Sequence, residues 1–347
     1  MKRILAVIVT LVVLIGGYAL YKFKLGKTTF TEEHKMFYIR TDAANKNAIL
    51  ESLVKDSICS DPSGFEFVAN RMDYWRKIKP GRYRIPKGTN LINLVRILRN
   101  GIQTPVELVI SRKIRLKQDF ARLIGNNFEA DSASVMDYLN DADSMRVLGL
   151  DSASWITGIL HNTYSIPWTY SPSRIFRKLF AEQDKFWEAN NRLEKAKNLG
   201  YTPDQIYTLA SIVSEETNKD ADKPKIASTY MNRLAKGMRL QADPTVKYAM
   251  KNFALNRILF VHLKYESPYN TYIHAGLPPG PICTVSGKTI DAVLDAPKTD
   301  YLYFVADADL RGGSSFSSTI EQHQKLAKAY QDSLTAFLQR KALQNKK

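Results

Sequence analysis

The chain has 347 residues, of which 44% are hydrophobic and 11% aromatic. This composition excludes a disordered polypeptide, and the length favours about two domains. The formal net charge of +16 would suit a nucleic-acid partner. The basic residues, however, are spread along the chain and match no nucleic-acid-binding module, so we expect a solvated basic surface and no nucleic acid.

Cysteine and histidine usage gives no sign of a metal or redox site. The two cysteines, Cys59 and Cys283, are far apart in the sequence and could either pair or stay free. The five histidines form no ligand spacing, such as two His one helical turn apart. We therefore expect no metal and no cofactor.

The amino-terminal segment has the pattern of a membrane anchor. Residues 4–21 carry no charged side chain and are rich in Leu, Val and Ile, with basic residues on both sides. A stretch of about 18 apolar residues can span a bilayer, and this one lacks the small-residue cleavage site of a signal peptide. We expect residues 1–27 to form a short cytoplasmic stub and one uncleaved transmembrane helix, which places the rest of the chain outside the cytoplasm. A cleaved signal peptide is the alternative.

Strand and helix patterns of a mixed α+β fold follow the predicted anchor. Between residues 28 and 109, the sequence Gly-Arg-Tyr-Arg-Ile-Pro alternates like a strand, and apolar residues recur at helical spacing from Leu91 to Gly101. Residues 110–347 contain further strand-then-helix patterns, and residues 301–305 have the composition of a buried strand. The sequence therefore predicts an α+β protein with a domain boundary near residue 110.

One predicted helix carries an acid beside its apolar face. Thr202 followed by proline is typical of a helix start, and apolar residues then recur on one face. At about 100° per residue, Glu216 lies beside Leu209 at the edge of that face, whereas Glu215 points away and should be solvated. Apolar surroundings raise the pKa of a carboxyl group, so Glu216 could donate a proton near neutral pH, as cleavage of a glycosidic bond requires. A buried structural acid is the other explanation of this pattern.

Polar and aromatic residues farther along the chain could complete a sugar-binding cleft. Asp243, followed by proline, has the pattern of a helix N-cap, and Gln241 lies in the polar loop before it. Residues 269–272 form a Tyr-Asn-Thr-Tyr loop, and a turn rich in Gly and Pro follows at 276–282. Aromatic faces and amide groups suit sugar rings, although a simple helix cap and an ordinary turn explain the same patterns.

These motifs, in this order, resemble the YceG-like family of endolytic murein transglycosylases. The resemblance extends over essentially the whole chain and is carried by residues 209–213, 216–217, 232–234, 237–241, 243–246, 269–272, 276–282, 301–307 and His323. Glu216 matches the catalytic position of the family. Ser214, however, stands where the family usually has a second acid, and Glu215 is an additional acid. Residues 161–164 also depart from the usual Pro-Asp-Thr-Tyr or Pro-Asn-Thr-Tyr sequence.

The resemblance implies a peptidoglycan lytic transglycosylase of the inner (cytoplasmic) membrane with a periplasmic catalytic part. Such an enzyme cleaves the bond between N-acetylmuramic acid and N-acetylglucosamine within a glycan strand and leaves a 1,6-anhydro end. The resemblance also implies a LysM-like module in residues 28–109 and a catalytic domain in residues 110–347, with Glu216 as the single acid/base. The implied partners are glycan strands and penicillin-binding peptidoglycan synthases. The implied substrate-binding residues are Asn232, Gln241, Asp243, Thr245, Tyr269, Asn270, Thr271 and Tyr272.

Two alternatives stay open at this point. Ordinary glycosidases use two acids, and Asp243 or Glu266 could be the second one. The protein could also be a non-catalytic, membrane-anchored peptidoglycan-binding protein that holds glycan while partners cut it.

Overall fold

The computed structural model describes residues 9–14, 16–17, 28 and 30–344. None of the helices formed by these residues is both long enough and apolar enough to cross a membrane. Most of the predicted anchor lies outside the described residues, so the anchor stays a prediction.

The chain forms two compact units, and the predicted α+β fold class is confirmed. One unit consists of Met1–Leu108, Leu123–Ser132 and Tyr164–Pro172, and the other of Val109–Arg122, Ala133–Thr163 and Ser173–Lys347. The assignment of a LysM-like module and a catalytic domain to separate parts of the chain stays a prediction.

The first unit is built on an antiparallel strand pair that packs against three helices. Strand β1 (His34–Ile39) pairs with β2 (Gly81–Pro86), and the fully buried rings of Phe37 and Tyr83 lie opposite each other. Asn90 caps the third helix by accepting a hydrogen bond from the Asn93 N–H, and Gly101 ends it in the left-handed conformation. Strand β2 and the helix that begins at Leu91 lie where the sequence predicted them. The helices are α1 (Lys46–Lys55), α2 (Pro62–Arg71) and α3 (Leu91–Asn100).

The remaining elements are mostly helical, with two more strand pairs. Strand β3 pairs with β4, and β5 pairs antiparallel with β6. In chain order these elements are β3 (Val106–Ile110), α4 (Lys117–Gly125), α5 (Ser132–Asn140), α6 (Ala142–Val147), β4 (Asn162–Ile166), α7 (Pro172–Glu188), α8 (Arg192–Leu199), α9 (Pro203–Glu216), α10 (Lys223–Ala235), α11 (Asp243–Ala249), α12 (Phe260–Leu263), α13 (Gly287–Leu294), β5 (Tyr303–Ala306), β6 (Ser314–Ser317) and α14 (Ile320–Gln344).

Helix α9 is the central element of the second unit. Thr202 caps it by accepting from the Gln205 N–H, while the Gln205 side chain accepts from the Thr202 N–H, which confirms the predicted start. The helix packs against α8, α10, α11 and α13. All residues from 206 to 214 are buried, so the helix is enclosed on every side rather than amphipathic as predicted. Glu216 is therefore placed by being the last residue of a buried helix.

Strand β5 also differs from its prediction. The sequence indicated a buried strand, but Tyr303, Phe304 and Val305 are only half-buried. The strand stands at the surface of the second unit, and two of its aromatic rings line the cleft described below.

Candidate active site

A cleft of about 370 Å³ opens at the end of α9. Because α9 is enclosed as far as Ser214, its last turn brings the Glu216 carboxyl group to the wall of this cleft. Polar and aromatic side chains from α10, the loop before α11, β5 and α14 complete the lining. The lining residues are Glu216, Tyr230, Arg233, Gln241, Asp243, Tyr272, Tyr303, Phe304, Ile320 and His323.

The Glu216 carboxyl group is held in a state from which it can donate a proton at neutral pH. Loss of water around the side chain raises its pKa to about 7, against an ordinary value of 4.5. The hydrogen bond from Tyr230 acts in the opposite direction, and the negative charge of Asp243 raises the pKa further. The predicted rise in the pKa of this acid is thus present, although it results from burial at the end of α9 and not from an apolar helix face.

Helix α10 supplies two of the cleft residues from neighbouring positions on one face. The Tyr230 hydroxyl donates a hydrogen bond of 2.6 Å to Glu216 Oε1. Arg233 lies three residues after Tyr230, on the same helix face, and its guanidinium is buried. Its Nε donates to the Leu302 backbone oxygen over 2.7 Å, and a second N–H donates to the Leu240 backbone oxygen. No role in the site was predicted for Tyr230 from the sequence.

Asp243 and Tyr272 form a second polar pair at the cleft. The Tyr272 hydroxyl donates to Asp243 Oδ1 over 2.6 Å. The prediction that Asp243 caps a helix is wrong, since Ala242 occupies the cap position and Asp243 is the first residue of α11. Its carboxylate is thereby free of the helix backbone and faces the cleft with Tyr272.

Gln241 reaches the cleft through an unusual backbone conformation. Its φ of 50° lies in the left-handed region, which non-glycine residues seldom adopt. The Gln241 N–H donates to the Thr271 oxygen over 3.1 Å, which ties its loop to the loop that carries Tyr272. Strained residues of this kind persist where the surroundings fix them, and they cluster at functional sites.

Aromatic rings form part of the cleft lining. Tyr303 stacks on His323 with 5.4 Å between ring centroids, and the Arg233 guanidinium lies 5.6 Å from the centre of the Tyr303 ring. Phe304 meets Tyr230 edge to face at 5.7 Å. Flat rings beside hydroxyl and carboxylate groups suit a ligand with both apolar C–H faces and hydroxyl rims, as a sugar has.

Glu215 does not have the solvated environment predicted for it. Its side chain is only 16% exposed, and the Arg115 guanidinium binds both of its oxygens, at 2.8 and 3.0 Å. The Lys113 ammonium lies 3.5 Å from Glu215 Oε1 and also donates to the backbone oxygen of Ser214. Glu215 is therefore the centre of an ion-pair cluster that holds the last turn of α9.

Five residues that the resemblance assigned to substrate binding do not line the cleft. The Asn232 amide donates to the backbone oxygens of Thr299 and Tyr301. The other four hold the loops that present Gln241, Asp243 and Tyr272. The buried hydroxyls of Thr245 and Thr271 are joined by a 2.9 Å hydrogen bond. The Asn270 amide donates to the backbone oxygens of Leu263 and Tyr265. The Tyr269 ring packs on the Tyr248 ring.

Fold and cleft together define a class of protein. It is a mixed α+β protein that holds one protonatable carboxyl group at the end of a buried helix, in a cleft also lined by aromatic rings.

Comparison with known proteins agrees with this class. The YceG-like family model matches residues 37–329. The chain is 29% identical over 334 residues to an endolytic murein transglycosylase of Bacillus subtilis (strain 168), with 91% of each chain covered. It is 27% identical over 342 residues to a protein of the same name from Streptococcus pneumoniae serotype 2, covering 89% of this chain and 61% of that relative.

A solved structure is similar as well. The crystal structure of a yceG-like protein from Listeria monocytogenes superposes with a TM-score of 0.51 at 27% identity, covering 85% of this chain and 100% of that one. The chain belongs to the YceG-like family. The family resemblance seen in its motifs is confirmed.

Proposed function

We propose that this protein is an endolytic peptidoglycan lytic transglycosylase in which Glu216 is the single general acid/base. The observation that carries the proposal is the Glu216 carboxyl group, with a pKa of about 7, in the wall of an aromatic-lined cleft. The B. subtilis and S. pneumoniae relatives are named endolytic murein transglycosylases, which supports murein glycan as the substrate.

In the first step the protonated Glu216 acts as an acid. It donates its proton to the oxygen that links N-acetylmuramic acid to N-acetylglucosamine. The bond between this oxygen and the anomeric carbon of the muramic acid breaks, and the glucosamine residue leaves with a hydroxyl group. Glu216 becomes a carboxylate, which the 2.6 Å hydrogen bond from Tyr230 stabilises.

In the second step the Glu216 carboxylate acts as a base. It accepts the proton of the muramic acid 6-hydroxyl while the hydroxyl oxygen attacks the anomeric carbon and closes the 1,6-anhydro ring. The carboxyl group is then protonated again, and no water is consumed. Because the nucleophile belongs to the substrate, proximity favours the attack and a second catalytic acid is unnecessary.

Asp243 is the carboxylate that a two-acid hydrolase would use in this cleft, since the exposed Glu266 does not line it. We assign Asp243 a different role. Its Oδ1 accepts the Tyr272 hydroxyl, and its charge favours the protonated form of Glu216. Asp243 therefore supports the acid step without attacking the sugar.

The products of purified protein acting on isolated glycan strands test this proposal. We expect mass analysis to show internal cleavage and 1,6-anhydro ends, each lighter by one water than a hydrolysis product, and to show almost none with Glu216→Gln. Reducing ends would instead indicate a hydrolase that uses two acids. Binding of strands without any product would indicate the non-catalytic wall-binding protein.

The location of the protein is a further part of the proposal. We propose that residues 1–27 anchor it in the inner membrane, that its catalytic part is periplasmic, that residues 28–109 act as a LysM-like glycan-binding module, and that penicillin-binding synthases are partners. The uncharged stretch at residues 4–21 supports the anchor. A reporter active only outside the cytoplasm, fused after Lys347, should be active; activity from a cytoplasmic reporter alone would contradict this topology.

A further inference from the structure

A short apolar tip projects from the second unit at α12 and the residue before it. Leu259 is 52% exposed, Phe260 88% and Val261 70%. Within residues 30–344 this is the one place where three consecutive large apolar side chains are exposed. Isolated apolar residues are normal on a protein surface, whereas a contiguous apolar patch marks an interaction site.

The tip is held in an ordered conformation that keeps these side chains outward. The Leu259 N–H donates to His262 Nδ1 over 3.1 Å and closes the turn. On the other side, the fully buried Asn270 amide binds the backbone oxygens of Leu263 and Tyr265, at 2.9 and 2.8 Å. Because both ends of the turn are fixed, a partner that covers the tip need not order it first.

A basic residue flanks the tip on each side in the sequence. Arg257 and Lys264 are exposed, and neither forms a salt bridge with a carboxylate in the part of the chain that the structure describes. Glu266 is the only acid between residues 251 and 266. Tyr265, which is 44% exposed, adds an aromatic ring with a polar end beside the tip.

We propose that this tip, residues 259–261, docks on the surface of a bilayer that contains anionic phospholipid. The three apolar side chains enter the boundary between headgroups and acyl chains, Arg257 and Lys264 bind lipid phosphates, and Tyr265 lies at the headgroup level. A stable protein interface buries about 1,200 Å² or more, which three side chains do not provide. A lipid surface needs only a few apolar groups together with matching charge.

The docking surface is separate from the cleft, because no tip residue lines the cleft. Docking would fix the orientation of the second unit at the membrane and go beyond the catalytic proposal. It also predicts that loss of the tip leaves the chemistry intact.

An environment-sensitive fluorophore attached at Val261→Cys in the full chain tests the proposal. The native Cys59 and Cys283 are both buried, so the added thiol is the one that reacts. The matched control is the same label at Val147→Cys, a position 76% exposed on the same unit. The chain is reconstituted at one molecule per lipid nanodisc, with either phosphatidylcholine alone or phosphatidylcholine mixed with phosphatidylglycerol.

We expect blue-shifted emission from the label at position 261 in the anionic nanodiscs, and high salt should reverse this shift. The label at position 147 should give water-like emission in both nanodisc compositions. Arg257→Gln with Lys264→Gln should weaken docking about 25-fold, because each surface cation contributes about fivefold. Phe260→Ser should lose the shift yet cut soluble glycan strands at the parent rate. Water-like emission from position 261 in anionic discs overturns the proposal. So does a shift that requires two chains per disc or added glycan strands.

Discussion

The Tyr230 hydroxyl is bound to Glu216 Oε1 at 2.6 Å, and this bond opposes the effect of burial on the same carboxyl group. Burial favours the neutral acid, whereas a donated hydrogen bond favours the carboxylate. Burial also raises the pKa of Tyr230 well above its usual value, so its hydroxyl keeps its proton and stays a donor throughout the neutral range. The two effects together leave Glu216 able both to give and to take a proton near pH 7.

Replacing Tyr230 with phenylalanine should move the basic limb of the activity profile to higher pH. The variant removes the donor that stabilises the Glu216 carboxylate, and a hydrogen bond to a charged group corresponds to about one pH unit or more. The rate of glycan cleavage measured across pH gives the shift. Tyr201→Phe is the control and should leave the profile in place, because Tyr201 precedes the start of α9, at the opposite end of the helix from Glu216, and does not line the cleft. An unmoved profile in Tyr230→Phe would show that the bond has no part in the proton balance.

Replacing Glu216 with glutamine should reduce cleavage by about 10² to 10⁴ while the protein stays folded. The amide keeps the shape of the side chain and can neither donate an acid proton nor accept one, and general acid/base groups contribute factors of this size. The measurement is the rate of product release from isolated strands. Glu266→Gln removes an exposed acid outside the cleft and should retain full activity. Equal cleavage rates in Glu216→Gln and Glu266→Gln would rule out Glu216 as the general acid/base.

The raised pKa of Glu216 also predicts how stability depends on pH. Folding raises the pKa from about 4.5 to about 7, so the folded state holds a proton that the unfolded state releases. The stability contributed by this group is full below about pH 4.5 and is lost as the pH rises through about 7. Urea unfolding at several pH values should show the parent losing more stability than Glu216→Gln over this interval. Parallel curves for the two proteins would contradict the assigned pKa.

Replacing Glu215 with glutamine should destabilise the protein by about 1–3 kcal/mol, because Lys113 and Arg115 lose their carboxylate partner. The loss of a negative charge and the two unpaired cations both favour the Glu216 carboxylate, so the basic limb of activity should move to lower pH. The solvated position that the helix projection predicts for Glu215 would instead have implied a substitution with little effect.

The double variant Glu215→Gln with Arg115→Gln is the control for that experiment. It restores the charge balance of the cluster and should recover most of the stability and the original pH limb. A single Glu215→Gln variant as stable as the parent, with an unmoved limb, would show that the cluster is only a surface feature.

Signals within adjacent residues predicted their elements well. Thr202 caps α9 at the predicted start, and α3 runs from Leu91 and ends at Gly101 as predicted. Such features depend on groups a few residues apart, which the sequence places next to each other. The general fold class followed from the same local patterns.

The partners of the site could not be predicted because they depend on which elements the fold brings together. A helix projection gives the angle of Glu215 about one axis but cannot reveal Arg115, 100 residues earlier in the chain. The Asp-Pro pattern at Asp243 fits both a cap and a first helical position, and only the folded structure, with Ala242 at the cap, distinguishes them. The role of Tyr230 was missed because a helical pattern cannot show that its hydroxyl reaches Glu216 while its ring packs on Phe304.

Arg233 gives the cleft a property that follows from its two acceptors. One guanidinium clamps the Leu240 oxygen, next to Gln241, and the Leu302 oxygen, next to Tyr303. One side chain on α10 therefore fixes the relative position of two segments of the cleft lining that are distant in the chain. The cleft is preorganised before a glycan strand binds. Arg233→Lys, which cannot keep both hydrogen bonds, would loosen the two segments although Gln241 and Tyr303 themselves are unchanged.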